Sequence, residues 1–399
     1  MSLGVAYLEG NRLTLLRNGE QYFPALIEAI DAAKEEIFIE VYIFADDQTG
    51  SLIADALARA AARGVQTHLL IDGFGAHDFA PRFREALGRA GAEVLVFRPS
   101  IWPRALRRMH TGMRRMHRKL VSIDGRIAFA GGINVIDDYE EGAPRHPRYD
   151  YAVRIEGPLA ARVRAETARM WWRVAWATIG RRWPGFRALM RRSAHRPGPA
   201  AGAGSGTQRA ALVVRDTLRH RYDIERAYME LIYNAREEVL IANAYFFPSR
   251  RFMRALEHAA RRGVRVVLLL QGRVEYILQH YASRALYGPL LAAGIRIHEY
   301  HRALLHAKVA VFDRRVACVG SSNIDPFSLF FAREANVFVD DADFAGELYA
   351  SLVEAIDRGS HPVPRRRWMR LAFLLKLRIW ASYSIARIII AFFGLGRRL

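Results

Sequence analysis

The chain has 399 residues, 51% of them hydrophobic and 25% charged. That is length and apolar content enough for two packed domains, and it is not the composition of a disordered chain. The formal net charge of +20 points to polyanionic partners, either nucleic acid or anionic lipid headgroups.

The N-terminal stretch MSLGVAYLEGNRLTLL lacks a basic region followed by an apolar one, so no signal peptide is expected. It also lacks the run of about 20 apolar residues that an N-terminal membrane anchor needs. Helical patterns follow near 22–34, 49–63 and 79–90. Strand-like runs lie near 37–44, 65–71, 93–97, 119–123 and 127–131. Strands alternating with helices of this length predict a sheet covered by helices.

The pattern then repeats. AAKEEIFIEVYIF (32–44) resembles NAREEVLIANAYFF (234–247), and LARAAARGVQTHLLIDG (57–73) resembles LEHAARRGVRVVLLLQG (256–272). The chain is read as a duplicated α/β unit. Residues 1–195 form the first half, RPGPAAGAGSGTQ (196–208) a linker, 209–361 the second half and 362–399 a basic, hydrophobic tail. The first half carries extra residues, PSIWPRALRRMHTGM, just before its motif.

That motif is HRKLVSIDGRIAFAGGIN (117–134), and its twin is HAKVAVFDRRVACVGSSN (306–323). His117, Lys119, Asp124, Gly131 and Asn134 have the same spacing as His306, Lys308, Asp313, Gly320 and Asn323. The chain has only four lysines, Lys34, Lys119, Lys308 and Lys376, against 56 arginines. Two of the four thus stand at matched places, where a compact ammonium and a guanidinium are not interchangeable. On a strand, residues i and i+2 share a face, so each His projects with its Lys. Two such clusters suit one phosphodiester. The lysines offset charge, one imidazole attacks and the other protonates the leaving oxygen. Asn134, Ser321 and Asn323 are candidate phosphate donors. Charge stabilisation comes from lysines and amides, so neither a metal nor a cofactor is expected. The single cysteine, Cys318, reads as a buried core residue, and no CxxC or HxxxH spacing suggests zinc.

Two carboxylates head later strands, Asp150 in RYDYAVRI and Glu334 in REANVFV. They are candidates to orient the histidines. Asp124 and Asp313 fall in Asp-Gly and Asp-Arg turns, where a turn role competes with a chemical one.

HxKxxxxDxxxxxxG(G/S)xN, written twice, resembles the phospholipase D superfamily over nearly all of residues 5–357. The resemblance implies two mixed-sheet α/β halves about a pseudo-two-fold axis, one shared active site and a covalent phosphohistidine. It also implies a catalytic set of His117, Lys119, Asn134, His306, Lys308 and Asn323, with Asp124 and Asp313 as motif members. MHRKLVSIDGRIAFAGGIN, DYAVRIEGP, ANAYFFP and LLHAKVAVFD look like bacterial cardiolipin synthases of the short type without N-terminal transmembrane helices. That likeness implies transfer of a phosphatidyl group between two phosphatidylglycerols with release of glycerol. Phosphatidylethanolamine as donor, or hydrolysis as in a phospholipase D, are the alternatives. A nuclease of the same fold and a non-catalytic scaffold rank below them. His117 is the expected nucleophile and His306 the general acid.

Three basic segments separate lipid from nucleic acid: 101–118, 169–192 and 365–399. Tryptophan and arginine interleaved in 169–192 read as membrane-interface chemistry. The tail ends in IIIAFFGLG, which no nucleic-acid reader needs. The expected partner is an anionic phospholipid membrane, with no nucleic acid, and the expected place is the cytoplasmic side of the inner membrane. The insert 101–118, with Arg104, Arg107 and Arg108, is expected to line the lipid entrance.

Overall fold

The computed structural model describes residues 5–77, 79–99, 115–139, 146–178, 205–216, 220–325, 332–370 and 373–392. The insert 101–114, most of the linker and the last seven residues lie outside these.

The first half contributes β1 (Leu8–Arg17), α1 (Asn18–Asp31), β2 (Glu36–Ile43), α2 (Gln48–Ala62), β3 (Gln66–Gly75), α3 (Pro81–Arg89) and β4 (Glu93–Phe97). It continues through β5 (Arg115–Met116), β6 (Lys119–Ile123), β7 (Ile127–Gly131), β8 (Tyr151–Glu156) and α4 (Pro158–Thr178). The second half runs β9 (Gln208–Arg215), α5 (Asp223–Asn234), β10 (Glu238–Asn243), α6 (Arg250–Arg261), β11 (Arg265–Gln271), α7 (Ile277–Arg284), α8 (Tyr287–Ala292) and β12 (Arg296–Tyr300). Then come β13 (Lys308–Phe312), β14 (Val316–Gly320), β15 (Ala332–Asp340), α9 (Ala342–Gly359), β16 (Ser360–Pro362), α10 (Arg365–Met369) and α11 (Phe373–Phe392).

All the strands belong to one mixed sheet. From its middle the order runs β1-β8-β7-β6-β2-β3-β4 one way and β9-β15-β14-β13-β10-β11-β12 the other. Each of these strands thus has an equivalent on the far side, β1 meets β9 antiparallel between them, and β16 beyond β12 and β5 beside β15 stand outside the symmetry. This is the expected pseudo-two-fold. Alternate residues of each strand face opposite layers. Leu120 and Leu240 point into the core under α4 and α9, while Val121 and Ile241 point to the other face.

Local signals explain the repeated helices. Asp47 and Ser249 cap α2 and α6 by accepting the N–H of Gly50 and Phe252. Gly64 and Gly263 end them at φ +88° and +93°, where a side chain would be strained.

The expected helices and strands appear within a few residues. The central strands β1 and β9 were not expected, and Gln208, assigned to the linker, already begins β9. A second correction concerns the tryptophans of 169–192. Trp171 is buried against His68 and Met116, in the layer between α4 and the sheet. Of the described ones in this segment only Trp176 is exposed, so α4 is a core helix rather than an interfacial one.

Candidate active site

Both motif turns have a left-handed backbone. Asp124 and Gly125 have φ +52° and +64°, and Asp313 and Arg314 have φ +48° and +50°. Two successive positive φ values are the tight hairpin that joins β6 to β7 and β13 to β14. The aspartates do their work here. Asp124 accepts backbone N–H bonds from Lys34, Glu35 and Glu36. Asp313 accepts the same three from Arg236, Glu237 and Glu238. Both stand at the far ends of β6 and β13 from the histidines. The sequence motif placed them in the catalytic set; the structure places them as staples that hold the hairpin to the next helix–strand junction.

The other ends of β6 and β13 carry the histidines. His117 and Lys119 share a face, as the period of two requires, while Arg118 turns the other way into a buried pair with Glu40. The His117 N–H bonds the carbonyl of Arg333 at 3.0 Å, and the His306 N–H bonds that of Tyr149 at 2.9 Å. Each histidine is therefore stitched by its backbone to the opposite half, one residue before that half's carboxylate. The side chains follow. His117 Nδ1 lies 3.0 Å from Glu334 Oε1, and His306 Nδ1 lies 2.6 Å from Asp150 Oδ2. Asp150 and Glu334 were expected behind the histidines, and each stands behind the histidine of the opposite half. The structure crosses them.

A carboxylate at Nδ1 holds the proton there and leaves the Nε2 lone pair free. Burial lowers the His117 pKa against the opposing pull of Glu334. Burial and then Lys308 push His306 down to about 3, against Asp150. Burial would raise the two carboxyls, but His117 and Arg215 at Glu334, and Lys308 and His306 at Asp150, hold them ionised. The resting site is two neutral imidazoles on two carboxylates, each a nucleophile or base at Nε2.

The lysines lie beneath. Lys119 Nζ donates to the His117 carbonyl at 2.7 Å, and Lys308 Nζ to that of His306. Burial depresses Lys119 to about 7 and Lys308 to about 8. Lys308 lowers Lys119, and each lysine feels both Asp150 and Glu334. Such influence in a buried site places the two clusters around one centre.

The two-fold is imperfect in instructive ways. An added Cβ at Gly132 would come 2.3 Å from Asp150 Oδ1, so a serine there has no room. Its counterpart Ser321 instead donates to Glu334 Oε2 at 2.5 Å and accepts the Ala335 N–H at 3.1 Å. Ser321, expected to bind phosphate, orients a carboxylate. Asn134 commits its oxygen to the Ile43 N–H at 3.2 Å, leaving its amide nitrogen to donate. Asn323 is buried, with its Oδ1 unpartnered among the described residues.

Two site residues were not anticipated. Arg215 is fully buried, 3.9 Å from Glu334 Oε1. The equivalent place behind Asp150 is held by Asn18, whose Oδ1 accepts the Asp150 N–H. Tyr42 sets its ring against His117, centroids 4.7 Å apart, with Lys119 Nζ 5.3 Å from its centre. The repeat register (IEVYIF against IANAYF) pairs Tyr42 with Ala244. That mismatch was the available signal for Tyr42; nothing local marks Arg215.

The family model described as "Cardiolipin synthase, PLD-like domain" matches residues 26–171 and 228–355. The chain belongs to this family. It is 39% identical to Cardiolipin synthase B of Escherichia coli K12 over 380 residues, 92% of this chain and 86% of the relative. It is 31% identical to Cardiolipin synthase 1 of Bacillus anthracis over 314 residues, 78% of this chain and 60% of that one. A crystal structure of phosphatidylserine synthase from Haemophilus influenzae Rd KW20 superposes with a TM-score of 0.67 at 13% identity, covering 97% of this chain and 95% of that one. That likeness speaks to the fold alone. As a member of the family, the chain is a phosphatidyltransferase of the phospholipase D superfamily. Among the described residues no helix is long and apolar enough to cross a membrane.

Proposed function

We propose that this enzyme joins two phosphatidylglycerols into cardiolipin and releases glycerol, through a phosphohistidine on His117. The crossed pairs His117–Glu334 and His306–Asp150 carry the reading. They present two neutral imidazoles to one centre above two buried ammoniums.

In the first step His117 Nε2 attacks the phosphorus of the donor. The bond to the glycerol oxygen breaks, and His306 supplies that oxygen with a proton. For this His306 must enter the step as imidazolium. The incoming phosphodiester brings the negative charge that favours it, with Asp150 stabilising it from behind. In the second step His306 takes the proton from the primary hydroxyl of the acceptor. The new oxygen–phosphorus bond forms and the phosphorus–nitrogen bond breaks. Lys119, Lys308 and the amide nitrogen of Asn134 hold the phosphoryl oxygens as charge builds. Asn323 is the matching candidate in the second half.

The enzyme works as a peripheral protein on the anionic, cytoplasmic leaflet of the inner membrane. Helix α11 supports this placement. It docks on the second half through Ile379, Tyr383 and Ala386, with Tyr383 5.5 Å from the Phe247 ring. It leaves Phe373, Leu377, Trp380 and Ile388 exposed along one stripe. Tyr276 and Ile277, beside and within α7 under this helix, are exposed as well. Apolar side chains with flanking cations suit a headgroup boundary. Most of the insert 101–118, expected at the lipid entrance, lies outside the described residues.

The test is to incubate the purified protein with phosphatidylglycerol vesicles and follow cardiolipin and glycerol in equal amounts. Phosphatidic acid as the sole product would make the enzyme a hydrolase. Cleavage of DNA with no lipid turnover would overturn the reading.

A further inference from the structure

The broken symmetry at Tyr42 and Ala244 has a spatial result. In the first half the Tyr42 ring fills the space between His117 and Phe74, stacked on Phe74 at 5.8 Å. In the second half the equivalent of Tyr42 is Ala244 and that of Phe74 is Arg273. An open hollow lies there, lined among others by Ala244, Tyr245, Gln271, Arg273, Glu275 and His280.

The wall residue Ala244 neighbours the segment that carries His306. Ala244 donates its N–H to the carbonyl of Ala307 at 3.0 Å, and Asn243 pairs with Lys308 in the sheet. The charge of Glu275 acts on Lys308.

The lining is polar and partly uncommitted. Gln271 is 8% exposed, and its Nε2 has no hydrogen-bond partner among the described residues. A buried amide nitrogen without a partner is costly unless a ligand completes it. The equivalent residue in the first half, Asp72, is fully engaged. It accepts the N–H groups of Phe74 and Met116, both at 2.8 Å. Gln271 repeats only the first of these bonds, to the Arg273 N–H at 3.3 Å. The Tyr245 hydroxyl donates to Glu275, so the oxygen of one and the second carboxylate oxygen of the other remain acceptors. Burial pushes His280 down to about 4, which leaves a neutral imidazole that both donates and accepts.

We infer that this hollow, framed by Ala244, Gln271, Tyr245–Glu275 and His280 beside His306, is the alcohol subsite and binds a glycerol group. The inference rests on the proposed function. The alcohol that leaves in the first step and the one that enters in the second both sit across the phosphorus from His117 Nε2. One pocket next to the acid–base imidazole therefore serves both. Glycerol released from the donor vacates it, and the terminal glycerol of the acceptor lipid takes its place. Its primary hydroxyl then gives its proton to His306 and bonds to phosphorus as the bond to His117 breaks. The open side at His306 and the plugged side at His117 thereby assign the roles of two histidines that the motif leaves equivalent.

The test compares the wild type with Gln271→Leu, which removes the free donor, and Ala244→Tyr, which rebuilds the plug of the first half. Each is given two donors in vesicles, phosphatidylglycerol and a phosphatidyl ester of p-nitrophenol, whose leaving group is not a polyol. Turnover of the second reports whether the site is assembled. Free glycerol is added in a separate arm, to distinguish a soluble polyol from a lipid headgroup as occupant. In both variants, turnover of the glycerol donor relative to the nitrophenyl donor should fall about tenfold, the loss of one or two hydrogen bonds to a substrate hydroxyl. The ratio of cardiolipin to phosphatidic acid should fall with it. Free glycerol should intercept the phosphatidyl-enzyme in the wild type and not in the variants. Unchanged ratios in Gln271→Leu would overturn the pocket and leave cardiolipin synthesis standing. A wild type that forms no cardiolipin but is intercepted by glycerol would overturn the proposed function and leave the pocket. One that neither forms cardiolipin nor responds to glycerol would overturn both.

Discussion

His117 and Glu334 are 217 residues apart in the chain, and their side chains meet at 3.0 Å. Neither half of the molecule owns a complete histidine–carboxylate pair. Each supplies the imidazole of one and the carboxylate of the other.

Glu334→Gln and Asp150→Asn should each leave the fold intact and cut kcat by about 10³- to 10⁴-fold, the scale seen when a carboxylate that fixes a histidine tautomer becomes an amide. The check is cardiolipin formation alongside circular dichroism. A loss confined to one of the two would argue against a site in which both imidazoles take part.

His117→Ala should abolish both transfer and the acid-labile phosphoenzyme. His306→Ala should slow transfer as severely, yet still trap phosphate on residue 117 when the donor has a good leaving group. Rapid quench with a labelled donor and peptide mapping reads this directly. Label on His306 would reverse the two roles.

Asp124→Ala and Asp313→Ala act on stability. Each removes the acceptor of three backbone N–H groups and puts a less tolerant residue at positive φ, at a cost of about 2–3 kcal/mol. Urea midpoints should fall while the turnover of the folded fraction stays at the wild-type level. A selective loss of kcat would return these aspartates to the chemistry.

The lysines set the pH behaviour. Folded Lys119 titrates at about 7 and Lys308 at about 8, against about 10.4 in an unfolded chain. Between those values the unfolded state binds more protons, so these two groups make the free enzyme more stable as pH rises from about 7 to about 10. Phosphate affinity should run the other way, because the ammoniums that attract it are lost over the same range. Thermal melts and KM from pH 6 to 9 test both slopes. Lys119→Met should flatten its share of each.

Replacing Phe373, Leu377, Trp380 and Ile388 with serine should weaken binding to anionic vesicles at least tenfold, since each removes apolar area from an exposed stripe. Flotation at two ionic strengths separates this from the charge of the arginines. Unchanged flotation would place the membrane contact elsewhere.

Much of this was legible in the sequence because duplication repeats its own evidence. The spacing of His117, Lys119 and Asn134 recurs at His306, Lys308 and Asn323, and period two on a strand then dictates which side chains share a face. The carboxylates could be picked out as Asp150 and Glu334, because each heads a strand. Their crossing could not, since it depends on β5 leaving its own half to pair with β15. For Asp124 and Asp313 the sequence left a turn role and a chemical one in competition for a related reason. The motif conserves their spacing, but only three-dimensional placement reveals that they face the helix–strand junctions. The burial of Trp171 was equally hidden, because an amphipathic stripe looks the same whether its apolar side meets lipid or protein.

The edge-to-edge meeting of β1 and β9 says something about descent. Half of this molecule, taken alone, would bear an unpaired strand, a histidine without its carboxylate and a carboxylate without its histidine. Two identical halves joined through that strand would mend all three defects at once, as an isologous dimer does. Fusion into a single chain then frees each copy to change alone. Tyr42 against Ala244 and Gly132–Asp150 against Ser321–Glu334 are places where the twins have parted, and division of labour between two histidines is what such parting makes available.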